Sequence, residues 1–124
     1  MCYRDSTFGR LLALKEIAMK KKYTREIEGA AELQDLCQAF LLLKDEEEVE
    51  NFLKDLCTPQ EIKALADRWR VCRILEAGEL SYREINEQTG ASLATIGRVA
   101  RFLKDEPHHG YRLILERTKR KLKK

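Results

Sequence analysis

The segment TGASLATIGR, residues 89–98, places small, polar and basic residues directly after a Thr-Gly break. Gly90 supplies the backbone freedom that a tight turn needs, because glycine enters positive φ at almost no steric cost. Ser92 is a typical helix N-cap, whose hydroxyl can accept a hydrogen bond from a free amide of the next turn. One face of the following helix would be both small and charged, with Ala94, Thr95, Gly97, Arg98 and Arg101. Such a face could lie against nucleic acid, a small anion or only water.

Apolar residues three and four positions apart predict that this segment is helical. The stripe consists of Leu93, Ile96, Val99, Ala100 and Leu103. Upstream, SYREINEQ opens on Ser81 with Glu84 three residues later, which is a capping box at the start of a short helix. A short helix, a break centred on Gly90 and a second helix predict a helix-turn-helix over residues 81–104.

In a helix-turn-helix the second helix enters the major groove of double-stranded DNA, and its N-terminal residues reach base edges. The small residues Ser92, Ala94 and Thr95 would allow close contact, and a methyl group there can touch a thymine methyl. The basic residues that can reach phosphates or guanine edges are Arg83, Arg98 and Arg101. A capped corner between two helices with no role in DNA binding shares the caps and the glycine, so this pattern alone leaves both interpretations open.

Charge is unevenly distributed along the 124 residues, although the net charge is only +3. Residues 1–24 carry six bases and two acids, residues 25–61 three and eleven, and residues 62–124 fifteen and eight. The basic C-terminal half suits an anionic partner. A solvated surface without functional meaning is the alternative.

Several classes of function are disfavoured by what the sequence lacks. The four cysteines form no CxxC pair and stand far from the two adjacent histidines, so we expect no metal and no cofactor. No Ser/Cys–His–acid set and no phosphate-binding glycine loop is present, so we expect a protein that is not an enzyme. The sequence has neither an apolar run of about 18 residues nor a signal peptide, so we predict a cytoplasmic protein with no membrane partner.

The remaining patterns also predict helices and almost no strands. Expected helices cover residues 26–43, a second segment after Asp45, and a third from Pro59 to about residue 78, followed by the two helices of the motif and a sixth after Pro107. Residues 1–24 are weakly patterned, and we expect an N-terminal arm that is poorly ordered or loosely helical. Residues 25–124 are predicted to form one helical DNA-binding domain.

Residues 56–104, LCTPQEIKALADRWRVCRILEAGELSYREINEQTGASLATIGRVARFLK, resemble the Trp repressor family. The resemblance lies in the TPxE helix start, the ALxxRxR core, the GE(L/M)S helix entry and the GAxxATIxR segment, in that order. The tail GYRLILER is similar to the YerC/YecD-type branch of the family. The resemblance implies an all-α, six-helix fold and an intertwined homodimer, in which the first two helices and the last interlock between chains. The wide apolar faces of the first two helices are consistent with such a dimer.

The function implied by the resemblance is that of a sequence-specific DNA-binding transcriptional regulator, a repressor acting on a near-palindromic operator. Position by position, Arg83 aligns with a phosphate-contacting arginine of the family. The tip of the recognition helix aligns with Leu93, Ala94, Thr95 and Gly97. Gly97 replaces a threonine of the tryptophan repressor, so that side-chain contact is lost here. The alternative function is a ligand-binding or protein-interaction module that keeps the fold without specific DNA binding.

An effector pocket is also implied by the resemblance. Arg68 and Arg98 align with two arginines that hold the tryptophan corepressor, and Thr58 and Thr95 align with threonines around the same pocket.

Two departures from the family pattern change what this pocket can bind. Val99 replaces a glycine and Phe102 replaces a small hydroxyl residue, so the protein fills the space of the indole with its own side chains. Overpacking a fitted site costs about 1–3 kcal/mol. We therefore expect no response to tryptophan, whereas another small anionic effector stays open in a pocket of Thr58, Arg68, Arg98, Val99 and Phe102. Trp69 is expected to be a core or interface residue.

Overall fold

Six α-helices follow one another in the part of the chain that the structure, a computed structural model, describes: the backbone of residues 6–123, with side chains from residue 9 onward except those of 19 and 21–28. They are α1 (Ser6–Leu41), α2 (Glu46–Leu56), α3 (Pro59–Ala77), α4 (Tyr82–Thr89), α5 (Leu93–Lys104) and α6 (Gly110–Leu122). No strand occurs between residues 6 and 123, which confirms the all-α prediction. No helix in this part of the chain has the length and apolarity needed to cross a membrane.

The bounds of α3 follow from residues at its two ends. The Thr58 hydroxyl accepts a hydrogen bond from the Glu61 amide at 3.2 Å, and the Glu61 carboxylate accepts one from the Thr58 amide at 3.1 Å. Pro59 takes the first turn, where its missing N–H has no intrahelical partner to lose. The helix stops at Gly78, which adopts the left-handed conformation with φ 72°.

The buried core is shared by α3, α4, α5 and α6. Its residues are Val71, Cys72, Ile85, Ala91, Ile96, Val99, Leu103 and Leu115. α5 contacts each of the other three helices, so its orientation is set from several sides. Burial raises the pKa of the Cys72 thiol to about 11, with a further rise from nearby Glu76. Cys72 therefore packs as a neutral, small apolar residue.

The chain divides into two compact units within α2. The first ends at Asn51 and the second is Phe52–Lys124. In the first unit, α1 exposes several large apolar side chains, among them Leu11, Leu12, Leu14, Ile17, Leu33 and Leu41. No residue of α2 is buried.

The first helix is longer than its apolar pattern predicts. It begins at Ser6 and runs for 36 residues, whereas the sequence indicated a helix only from residue 26. No proline interrupts residues 6–41, and most of them are good helix formers, so backbone preference extends the helix beyond the amphipathic part. Residues 1–5 lie outside the described residues. The division between an arm and a domain at residue 24 stays a prediction.

Candidate nucleic-acid interface

The turn between α4 and α5 is fixed by backbone and side-chain hydrogen bonds. Gly90 ends α4 with φ 76°, and its amide donates to the Asn86 carbonyl at 2.8 Å. The Asn86 side-chain amide donates to the Ala91 carbonyl at 2.7 Å. The Thr89 hydroxyl accepts from the Ala91 amide at 3.0 Å and donates to the Ile85 carbonyl at 2.7 Å. The angle between the two helices is therefore held on both sides of the glycine.

Asn86 and Thr89 were not among the residues that the sequence pattern singled out. A signal was present, because short polar side chains next to a turn glycine commonly bond the local backbone. Their hydrogen bonds fix the turn between the two helices.

The start of α5 is capped by Ser92. Its hydroxyl accepts a hydrogen bond from the Thr95 amide at 3.1 Å and donates to the Thr95 hydroxyl at 3.0 Å. Together these bonds order the first turn of the helix before any partner is present.

The outer face of α5 presents small and apolar groups to solvent at its N-terminal end. Leu93 is 60% exposed, whereas Ile96, Val99, Ala100 and Leu103 of the same helix are buried. Ala94 is exposed, and Thr95 and Gly97 are half-buried. A Cβ atom added at Gly97 would meet no atom within 4 Å. Among the described residues, the fold therefore gives no steric reason for a glycine at this position.

Three arginines surround this face, and none is held strongly. The Arg83 side chain is 88% exposed and pairs with Glu87 at 3.3 Å. Arg101 pairs with Glu106 at 3.5 Å. Exposed pairs of this kind are worth roughly 0–1 kcal/mol, so they can be exchanged for contacts with phosphates. The Arg98 guanidinium lies 4.3 Å from the centre of the Phe102 ring and forms no ion pair with any residue described.

The predicted effector-pocket residues lie in different environments. Thr58 caps α3, and Val99 is 1% exposed inside the core with Ile85 and Ile96, as expected from the sequence. Arg98 and Phe102 line a cavity of about 490 Å³ at the start of α6. The other lining residues are Trp69, His108, His109, Gly110, Tyr111 and Ile114. Thr58, Arg68 and Val99 do not line this cavity. Within the described residues, no group of side chains could hold a metal ion.

The fold, with the capped helices α4 and α5 joined by a glycine turn, is that of a helix-turn-helix protein. Residues 31–119 match the model of the Trp repressor protein family, and the chain belongs to that family. It is a family of transcription regulators rather than of enzymes. The resemblance of residues 56–104 to this family is thereby confirmed. Residues 6–30 of α1 lie outside the match.

Known relatives agree with this assignment. The chain is 46% identical over 88 residues to the uncharacterised protein YerC of Bacillus subtilis (strain 168), covering 71% of this chain and 83% of YerC. It is 42% identical over 71 residues to the Trp operon repressor homolog of Chlamydia trachomatis serovar D, covering 54% and 76% of the two chains. The crystal structure of a TrpR-like protein from Eubacterium eligens ATCC 27750 superimposes with a TM-score of 0.66 at 41% identity, covering 71% of this chain and 89% of that one. The Trp repressor-like fold predicted from the sequence is confirmed.

Proposed function

We propose that this protein is a sequence-specific DNA-binding transcriptional regulator, a repressor that acts as a homodimer on a near-palindromic operator. The observation that carries the proposal is the exposed, capped first turn of α5, with Leu93 60% exposed beside Ala94 and Gly97. Small and methyl-bearing groups at the start of a recognition helix can approach base edges in the major groove. Because the partner is DNA, the proposal implies a cytoplasmic location.

Positioning and sequence discrimination fall to different residues in this proposal. Arg83, on the exposed face of α4, contacts a phosphate, as do Arg98 and Arg101 from α5. Ser92, Leu93, Ala94 and Thr95 form the tip that enters the groove, and Gly97 lets the helix approach closely. Two-fold symmetry would place the two recognition helices roughly 34 Å apart, one turn of DNA.

The protein does not use tryptophan as a corepressor in this proposal. Val99 is buried against Ile85 and Ile96, which supports a recognition helix that already has its DNA-binding orientation without a ligand. A ligand shifts a protein between two states only when it binds them with different affinity. Because side chains fill the space that the indole would occupy, tryptophan cannot bind one orientation of the recognition helix more tightly than another.

A selection from random duplexes followed by footprinting tests this function. We expect a near-palindromic site, and an affinity that falls steeply with salt because phosphate contacts release counterions. Arg83→Ala should weaken binding to all sequences similarly and flatten the salt dependence. Thr95→Ala should relax the preference at particular bases, at a cost of about 1–3 kcal/mol on the best site.

Equal affinity for all duplexes would contradict the proposal. It would favour the alternative of a module on the same fold that binds a ligand or a protein without specific DNA recognition.

A further inference from the structure

The C-terminal end of α6 is strongly basic. Five of the seven residues at positions 117–123 are lysine or arginine, and none is acidic. We call this segment the basic tail, and all five of its cationic side chains are exposed. Positions 120–123 follow the end of the family match at residue 119. Most of the basic tail is thus a feature of this chain that the family match does not cover.

The fold neutralises only two of the five charges. Lys119 pairs with Glu76 at 3.1 Å, and Arg120 approaches Glu116 at 4.0 Å. The remaining three cations form no ion pair with any residue that the structure describes: Arg117, Lys121 and Lys123. Three positive charges are therefore available to a partner.

Helix stability accounts for part of this charge. Cations in the last turn of a helix interact favourably with its dipole, and Lys119, Arg120 and Lys121 lie in that turn. Arg117 lies before it, four positions from Lys121, so the two like charges share one face, and such a pair destabilises a helix. An anion bound between them would replace this repulsion by attraction.

The basic tail lies near the corner at which α3 leads into α4. Lys119 is held to Glu76, which is the next-to-last residue of α3. Arg83, for which we propose a phosphate contact, follows Glu76 by seven positions, and seven fully extended residues span at most about 25 Å. This distance is shorter than one turn of DNA, roughly 34 Å. The basic tail and Arg83 can therefore reach the same duplex.

We propose that the basic tail binds the phosphate backbone of double-stranded DNA outside the base pairs that α5 reads. This inference rests on the proposed function, which brings DNA to the helix-turn-helix. Duplex DNA carries one negative charge about every 1.7 Å along its axis, so long flexible cations find partners without a fixed geometry. The basic tail adds affinity for DNA of any sequence and leaves the choice of bases to α5.

The experiment compares the unmodified full chain with a triple variant, Arg117→Gln with Lys121→Gln and Lys123→Gln. Each is titrated against the selected duplex and an unrelated duplex of equal length over a series of salt concentrations. We expect the triple variant to bind both duplexes at least about tenfold more weakly at low salt, and the slope of log affinity against log salt to become shallower by roughly 0.9 for each lost contact. The ratio of the two affinities should stay the same, because phosphate contacts carry no sequence information.

A matched variant separates the basic tail from a general effect of net charge. Arg10→Gln with Lys15→Gln and Lys20→Gln also removes three exposed cations, from the part of α1 outside the family match. Its affinity and salt slope should equal those of the unmodified chain. Thermal melts establish that both variants are folded, and the contacts of Leu115 and Lys119 that hold α6 are left intact.

An unchanged salt slope in the variant of the basic tail would overturn the proposal, as would equal weakening by both triple variants. A lower mass in sedimentation without DNA, for the variant of the basic tail alone, would also overturn it. That result would assign the basic tail to the acidic segment 25–61 of a second copy.

The outcome for the proposed function is read separately. If the unmodified chain binds both duplexes equally, sequence-specific regulation fails, whereas the basic tail is still judged by the change in salt slope. If the selected duplex is preferred and the slope does not change, only the proposal for the basic tail fails. A chain that binds neither duplex would overturn both.

Discussion

Val99 and Gly97 are two positions apart in α5, yet the side chain at 99 is buried whereas a side chain at 97 would lie in open space. Val99 is 1% exposed and packs among the core residues of four helices. Gly97 has open space where its side chain would be, and a glycine inside a helix costs about 1 kcal/mol relative to alanine. The glycine is thus unfavourable for folding at a place where the proposed DNA interface needs close approach.

Gly97→Ala should stabilise the chain by about 1 kcal/mol, because the added methyl group removes backbone freedom from the unfolded chain and clashes with nothing. The same methyl group should weaken binding to the selected duplex by holding the helix away from it. Urea denaturation and a binding titration measure the two effects. Gly29→Ala, on α1 and outside the family match, also adds a methyl group in open space and should leave DNA affinity unchanged. A Gly97→Ala variant that is less stable than the unmodified chain would contradict the argument.

Millimolar tryptophan should leave the operator affinity of the unmodified chain unchanged, and calorimetry should detect no binding. Val99→Gly should open a cavity, lower the free energy of unfolding by roughly 2–4 kcal/mol and weaken DNA binding, because the recognition helix loses its support. Val99→Ala separates the effect of the cavity from the helix cost of glycine. A gain of about tenfold in operator affinity on adding tryptophan to the unmodified chain would contradict this prediction. It would show an allosteric coupling between tryptophan and DNA that the packing of Val99 does not allow.

At the scale of elements, one carboxylate of α3 binds two basic side chains of α6, in addition to the core contact of Leu115. Glu76 accepts hydrogen bonds from Arg112 at 2.8 Å and from Lys119 at 3.1 Å. The Lys119 hydrogen bond, assisted by the charge and hydrogen bond of Arg112, holds the pKa of Glu76 below its usual value despite some desolvation. Since α6 also forms one wall of the cavity that Arg98 and Phe102 line, this contact helps to keep that wall in place.

Glu76→Gln should lower the free energy of unfolding at neutral pH by about 1 kcal/mol, because the two cations lose a charged partner that is partly open to solvent. A lowered pKa in the folded state means that the contribution is complete above the ordinary glutamate pKa of about 4.3 and is lost as the pH falls through the lower folded value. Urea denaturation from pH 7 to pH 3 should therefore show the difference between the two chains shrinking only at the acid end. Glu116→Gln, which breaks the exposed pair with Arg120 at 4.0 Å, is the matched control and should have little effect. A constant difference down to pH 3 would show that Glu76 acts through packing instead.

At the scale of the whole molecule, several large apolar side chains among the described residues are exposed to water. In α1, Leu33 is 61% exposed and Leu41 is 84% exposed, and Leu42 follows at 78%. Leu33 and Leu41 fall within the family match, as does all of α2. This distribution supports the proposed homodimer, in which a second copy covers these side chains.

Sedimentation of the chain at micromolar concentration should give twice the mass of 14.5 kDa. Leu33→Glu should shift the population towards the monomer, because a charge buried without a partner is strongly unfavourable. Leu14→Glu, at a comparably exposed leucine outside the family match, serves as the control and should leave the mass unchanged. A monomer for the unmodified chain at this concentration would exclude the dimeric operator complex.

The amino-acid sequence by itself determined the starts of α3, α4 and α5, the ends of α3 and α4, and the helix-turn-helix that they include. Thr58, Ser81 and Ser92 cap their helices through partners three residues away, and Gly78 and Gly90 end helices through their own backbone conformation. These are local interactions, so the order of residues already contains them. The burial of Val99 was predictable in the same way, because its place on the apolar stripe indicates that it lies on the core-facing side of α5.

Only the tertiary structure decided which side chains from separate helices meet. Glu76 and Lys119 are 43 positions apart, and Trp69 reaches Tyr111 across α3 and α6. No periodicity in the sequence encodes such pairs, because they depend on the angles at which packed helices cross. The pocket that the family resemblance implied for Arg98 and Phe102 with Thr58 and Arg68 stays a prediction. The packing of α6 brings Arg98 and Phe102 together with Trp69, His108 and Tyr111, which no pattern in the sequence indicated.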